Sequence, residues 1–138
     1  MTALTLRARG TAPADLAWER YANPALWTTW ALQIQRVETS MARLHAQATG
    51  TVHAGLSPWP TVPVPFTVLA VDEGARTWAW QARVGPVRLH LEHGVEETPA
   101  GSATWLRVEG SLPVVLAYAP LARLALGRLV AAPRSQTP

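Results

Sequence analysis

The stretch that decides the fold is Leu112–Ala132, LPVVLAYAPLARLALGRLVAA. With about 20 largely apolar residues it has the length of a membrane span. Arg123 and Arg128 fall inside it, however, and each costs about 2.5–3.5 kcal/mol near a bilayer centre. A span is therefore rejected. At about 100° per residue, Tyr118, Leu121, Ala122, Ala125, Leu126, Leu129 and Ala132 share one broad face, opposite Arg123, Leu124, Gly127 and Arg128. This is the pattern of a helix lying against an apolar surface. Ser111 is its expected N-cap, with Arg128 and Arg134 near the C-terminal end, where the helix dipole favours positive charge. Pro120 cannot donate to the carbonyl of Leu116. The expectation is a bend there, or a short turn over 113–117 followed by a main helix from Ala119.

The surface that this helix covers is sought upstream. Residues 3–9 alternate, with Leu4, Leu6 and Ala8 against Thr5, Arg7 and Arg9, as in a strand with one wet face. Pro13 opens a helical run, and Asn23–Pro24 opens a second one that reaches Trp30, each using proline in the first turn. From residue 32 the period is 2. Gln33–Ser40 and Ala42–Val52 read as strands, the latter with Leu44, Ala46, Ala48 and Val52 on one side. Pro58, Pro60, Pro63 and Pro65 predict an extended loop before Phe66. Phe66, Val68 and Ala70 begin the next strand's inner set, and three further alternating runs follow, Arg76–Val84, Val87–Glu96 and Ser102–Gly110, joined by short Gly/Pro turns. Their pattern is that of an antiparallel meander with one buried face.

The chain has 138 residues, the size of one domain, and no cysteine, so disulfides and thiolate chemistry are excluded. A single domain over 1–132 with a disordered tail over 133–138 is expected. No basic-then-apolar leader follows Met1, and the reading is cytoplasmic. The net charge is +3, carried by 12 arginines spread along the chain without a basic stripe or a recognition motif, so nucleic acid is not the expected partner. No nucleotide-binding, serine-hydrolase or zincin motif occurs, and no cofactor is implied. His90 and His93 are three apart on a strand and so face opposite ways, which rules out their gripping one metal.

The runs Thr11–Glu19 (TAPADLAWE), Asn23–Pro24 with Trp27 and Trp30, Gly85–Leu106 (GPVRLHLEHGVEETPAGSATWL) and Pro120–Leu126 (PLARLAL) resemble the START-like polyketide cyclase/dehydrase and lipid-transport superfamily, the SRPBCC or birch-pollen-allergen-like group. The resemblance extends from residue 3 to about 132. It implies an α+β helix-grip fold, in which a curved antiparallel sheet of about seven strands wraps a long C-terminal helix, with two short helices after the first strand. It also implies an apolar interior cavity.

The unusual count of seven tryptophans supplies large flat walls for such a space. Trp78, Trp80, Leu89, Leu91 and Leu106 fall in the inner register, and the facing helix offers only the small Ala122 and Ala125, which leaves room. Tyr21 and Trp59 complete the candidate ligand-binding set. The polar points are His93 and Tyr118. Each has two readings: a hydrogen-bonded core residue, or, in a cyclase, an acid/base (His93) and a hydrogen-bond donor (Tyr118). The expected partner is a hydrophobic small molecule of polyketide, aromatic or lipid character, bound by a monomer or homodimer. Turnover by cyclisation or dehydration competes with non-enzymatic carriage or sensing, and more distantly with a protein-interaction scaffold.

Overall fold

The computed structural model describes residues 2–56 and 58–133. Strand β1 (Thr2–Gly10) leads into helix α1 (Ala14–Ala22), a 3₁₀ turn (Pro24–Leu26) and the single-turn helix α2 (Trp27–Trp30). The strands β2 (Ile34–Glu38), β3 (Thr49–Ala54), β4 (Val62–Asp72), β5 (Thr77–Val84), β6 (Val87–Thr98) and β7 (Gly101–Gly110) follow, and helix α3 (Leu112–Leu129) closes the order. The strands form one antiparallel sheet in the order β1-β7-β6-β5-β4-β3-β2, so β1 crosses over to pair with β7. The meander over 77–110 has the predicted faces: Trp78, Trp80, Ala82, Leu89, Leu91, His93, Thr104, Leu106 and Val108 are all buried.

Three expectations are corrected. Residues 42–48 are not a strand; their backbone bonds go to scattered partners, Leu44 N to the Ala22 carbonyl and Gln47 N to that of Val68, both at 2.8 Å. Gln47 adopts φ 75°, a left-handed conformation incompatible with a ladder. The segment buries Met41, Leu44 and Ala48 and leaves Ala46 exposed, so its anchors are three and four residues apart rather than two. Second, Pro63 and Pro65 do belong to a strand, opposite His53 and Thr51 of β3. Pairing of β4 with β5 begins only at Phe66, so at the prolines β4 has a single neighbour and a missing donor is tolerated.

Third, α3 is one helix through Pro120, not a short turn over 113–117 followed by a main helix from Ala119. Both Leu116 and Pro120 lie on its solvent side, where water can take the carbonyl that Pro120 cannot serve. Ser111 occupies the N-cap position without a side-chain bond, its backbone carbonyl accepting from Val115 N at 3.0 Å. On the packed face Val115, Ala122, Ala125, Leu126 and Leu129 are buried, whereas Ala132 is exposed. Leu112, Leu116 and Leu124 also face solvent. By length and composition this helix could cross a membrane, but its buried face packs mainly on β1, β7 and α2. Arg134 and the rest of the expected tail beyond Pro133 lie outside the described residues.

The C-terminal end of α3 is fastened to the start of the chain. The Val130 carbonyl accepts from Ala12 N at 2.9 Å. The Arg20 guanidinium donates to the carbonyls of Leu129 and Ala131, both at 2.7 Å, and so satisfies acceptors that a helix end leaves free. Gly10 makes the approach possible, since a Cβ there would stand 2.0 Å from the Val130 oxygen. Gly10→Ala should therefore lower unfolding free energy in urea by about 2–4 kcal/mol. Gly127→Ala, at an open position on the same helix with nothing within 4 Å of its Cβ, should raise it by about 0.5–1 kcal/mol. Equal effects in the two variants would disprove the docking argument.

Candidate functional site

Between α3 and the β3–β6 part of the sheet lies a cavity of about 330 Å³. Alternation delivers its sheet wall: Trp78, Trp80, Leu89, Leu91, His93 and Leu106 come from the inner register of three consecutive strands. Helix α3 contributes Tyr118, Ala122 and Ala125, whose small alanines leave the space that leucines would fill. Nine of the eleven expected site residues thus share one wall system. Leu56 and Val62 also line it while being 43% and 52% exposed, and they mark its opening. No Asp, Glu or Arg lines the cavity among the described residues.

The other two expected residues sit elsewhere. Trp59 is 73% exposed on the loop past the opening and is not part of the lining. A proline-rich loop gives no alternation from which its direction could be read. Tyr21 is fully buried but stands behind His93 rather than at the cavity surface. Several lining residues were not in the expected set, notably Trp27, Trp30 and Gln33. The two tryptophans are aimed by their indole N–H groups, which donate at 2.8 Å to the carbonyls of Tyr21 and Arg20 and so fold α2 back on the end of α1. Gln33 carries no sequence signal, because the register shift between Ile34 and Arg36 disrupts the alternation beside it.

The aromatic wall is layered. Trp78 stacks on His93 at 4.8 Å and 12°, and on Trp80 at 5.4 Å and 15°. Trp27 lies over Trp78 at 5.7 Å, and Phe66 meets Trp80 edge to face. The buried indole N–H of Trp78 has no partner among the described residues, a cost of about 1–3 kcal/mol set against these ring contacts.

A single proton assignment satisfies the polar groups behind the wall. Thr104 has one hydroxyl proton and gives it to the Gly94 carbonyl at 2.8 Å. The 2.7 Å contact between Tyr21 and Thr104 must then have Tyr21 as donor. Tyr21 oxygen therefore accepts from His93 Nδ1–H at 3.2 Å. His93 Nε2 is left as the acceptor for the Trp80 indole N–H at 3.0 Å. His93 is thus the neutral Nδ1–H tautomer with both nitrogens engaged by protein, the hydrogen-bonded core histidine of its two readings. Burial holds its pKa down to about 3, because a charged imidazolium would lose its hydration. Burial pushes the Tyr21 phenol well up and that of Tyr118 to about 12. Tyr118 is consequently protonated, and its hydroxyl has no hydrogen-bond partner among the described residues.

No family model matches the chain, and no curated protein does. Solved structures match along almost all of it. The di-domain ARO/CYC BexL from the BE-7585A biosynthetic pathway superposes with a TM-score of 0.77 at 18% identity, covering 94% of this chain and 45% of BexL. Protein NE0264 from Nitrosomonas europaea gives 0.73 at 13%, covering 93% of this chain and 91% of its own. Ara h 8.0201 gives 0.70 at 13%, covering 94% and 97%. The chain has the helix-grip fold. At such identities the likeness to Bet v1-like and SRPBCC proteins concerns the fold alone.

The His93 assignment has a pH consequence. A neutral histidine in the fold and an ordinary one in the unfolded chain means that the unfolded state binds the extra proton below about pH 6.5. Stability contributed by His93 is therefore full above that pH and is lost as pH falls toward 3. Unfolding free energy should drop by about 1.4 kcal/mol per pH unit in this window beyond whatever His93→Gln shows. Parallel curves for the two proteins would refute the buried neutral histidine. Long-range ¹⁵N–¹H spectra at pH 7 should show an unprotonated Nε2.

Proposed function

We propose that this protein binds a hydrophobic small molecule of aromatic or polyketide-like shape in the cavity under α3. The observation that carries this reading is the cavity itself: about 330 Å³ of space between stacked indoles and two alanines, with no charged residue in its described lining. A space left between large flat side chains and small ones stays open at a cost in stability. Apolar walls with a few fixed polar points are the usual composition of a ligand site. The helix-grip architecture, typically associated with hydrophobic-ligand binding, agrees with it.

A second reading is favoured by one specific feature, the half-buried Tyr118 hydroxyl, which has no hydrogen-bond partner among the described residues and stands in an almost wholly apolar wall. In this reading the cavity folds a reactive chain and speeds its cyclisation or dehydration by orientation and exclusion of water. Tyr118 would donate to a carbonyl oxygen of the substrate. His93, with both nitrogens occupied, would act by positioning Trp80 and Tyr21 rather than by moving protons. The BexL likeness gives a reason to try such substrates and no evidence of turnover.

Binding is tested with a neutral fluorescent probe, N-phenyl-1-naphthylamine, together with native mass spectrometry of freshly purified protein. The wild type should bind the probe or release an apolar adduct on unfolding. Ala122→Phe should weaken probe binding by about tenfold or more with its circular dichroism unchanged. A wild type that binds neither probe nor adduct would end the proposal. If a cyclisable substrate is found, Tyr118→Phe should reduce turnover by about 10²-fold with little change in affinity; unchanged turnover would leave carriage alone.

A further inference from the structure

The polar points of the cavity carry more than their number suggests. Gln33 is buried, 9% exposed, and lines the wall at the end where Gly55, Leu56 and Val62 open it. Its backbone is fixed, the carbonyl accepting from Gly55 N at 2.8 Å. Its side-chain amide has no hydrogen-bond partner among the described residues and is not among the solvent-sealed groups. An amide carries both a donor and an acceptor, and each is costly to leave unmet once water has been displaced. A purely aliphatic occupant would strand both, whereas a ligand with an oxygen function at that end would meet one or both.

The charge pattern narrows the ligand further. Arg20 is committed to the carbonyls at the end of α3, Arg36 to Glu38, and Arg43 to Glu19 and Glu73. No cationic side chain lines the cavity among the described residues. An ionised carboxylate entering it would lose hydration without gaining a counter-charge. The neutral His93 offers no help, because its Nδ1–H is already given to Tyr21.

Building on the reading that the cavity binds an apolar molecule, we propose that Gln33 is its specificity residue. The Gln33 amide hydrogen-bonds an oxygen function, carbonyl or hydroxyl, of a neutral aromatic ligand, and the uncharged wall rejects carboxylates, free fatty acids included. Gln33 is a recognition group for the ligand's polar end, and Tyr118 supplies a second hydrogen-bond donor on the helix side.

The test uses three matched probes, 2-ethylnaphthalene, 2-acetylnaphthalene and 2-naphthoate, titrated at pH 7.5 against wild type, Gln33→Leu and Gln33→Met. The readout is tryptophan fluorescence, and folding is checked by circular dichroism. In the wild type, 2-acetylnaphthalene should bind at least about 30-fold more tightly than 2-naphthoate. Both variants should lose about fivefold or more in affinity for 2-acetylnaphthalene while holding or gaining affinity for 2-ethylnaphthalene. Naphthoate binding as well as the ketone would overturn the proposal and leave the cavity reading standing. So would an acetyl-to-ethyl ratio unchanged in both variants, or an equal loss for both probes. Failure of all three probes to bind the wild type would overturn the cavity reading and this proposal together.

Discussion

The fixture on which the rest of the structure depends is the seating of α3 on the first strand. Val130 presents its carbonyl to Ala12 N across a glycine, and Arg20 gathers two neighbouring carbonyls. At the other end of the helix Val115 is fully buried beside Gly110. A helix held at both ends over β1 and β7 cannot sink further toward β3–β6. The gap that remains on that side is the cavity, so the same contacts that fasten the helix also keep the space open. This is why two alanines at the middle of α3 matter. They are not required for the seating, and larger residues there would fill the gap instead of tightening the fold.

The polar line from Trp80 through His93, Tyr21 and Thr104 to the Gly94 carbonyl plays a comparable part for the opposite wall. It joins β5, β6 and β7 to α1 by bonds whose directions are all dictated by the one at the end. In a low-dielectric interior such a line is strong when every member is satisfied and costly when one is not. It orients the Trp80 ring, which with Trp78 forms the flat floor of the cavity, and it withdraws His93 from acid/base chemistry. The inner register places His93 on the cavity wall, while its hydrogen bonding depends on a tyrosine 72 positions away in sequence.

What could be read in advance follows from the range of the interactions involved. Period-2 alternation over 77–110 reports which side of a strand is buried; the inner residues are buried except Val84 and Val87 beside the β5–β6 turn, which are half-buried. The same logic failed at 42–48, where alternating letters sit in a turn-rich segment whose anchors are Met41, Leu44 and Ala48. It also failed at Pro63 and Pro65, where the deciding fact was the absence of a β5 partner at that height, a property of the sheet and not of the strand. The exposure of Trp59 and the inward setting of Gln33 depend on a loop path and a register shift, neither of which leaves a mark in residue order. Low identity to other helix-grip chains fits this picture. In this chain the fold rests on the strand alternation, the close approach at Gly10 and the buried stripe of α3.

The composition of the cavity links these levels. An apolar wall alone would accept almost any greasy molecule, since burial of apolar area does not discriminate shape or polar function. Discrimination requires polar groups that are held in place and left unpaired by the protein itself. Among the described residues two polar side chains of the lining are of this kind, Gln33 and Tyr118, while His93 and the groups behind it are paired internally. His93 lies on the same wall, yet its hydrogen bonds are used to build the wall. The division of labour is therefore set by partners rather than by residue type. Groups with protein partners shape the space; of those without, Gln33 and Tyr118 stay open to whatever enters it, whereas the Trp78 N–H is sealed inside the wall.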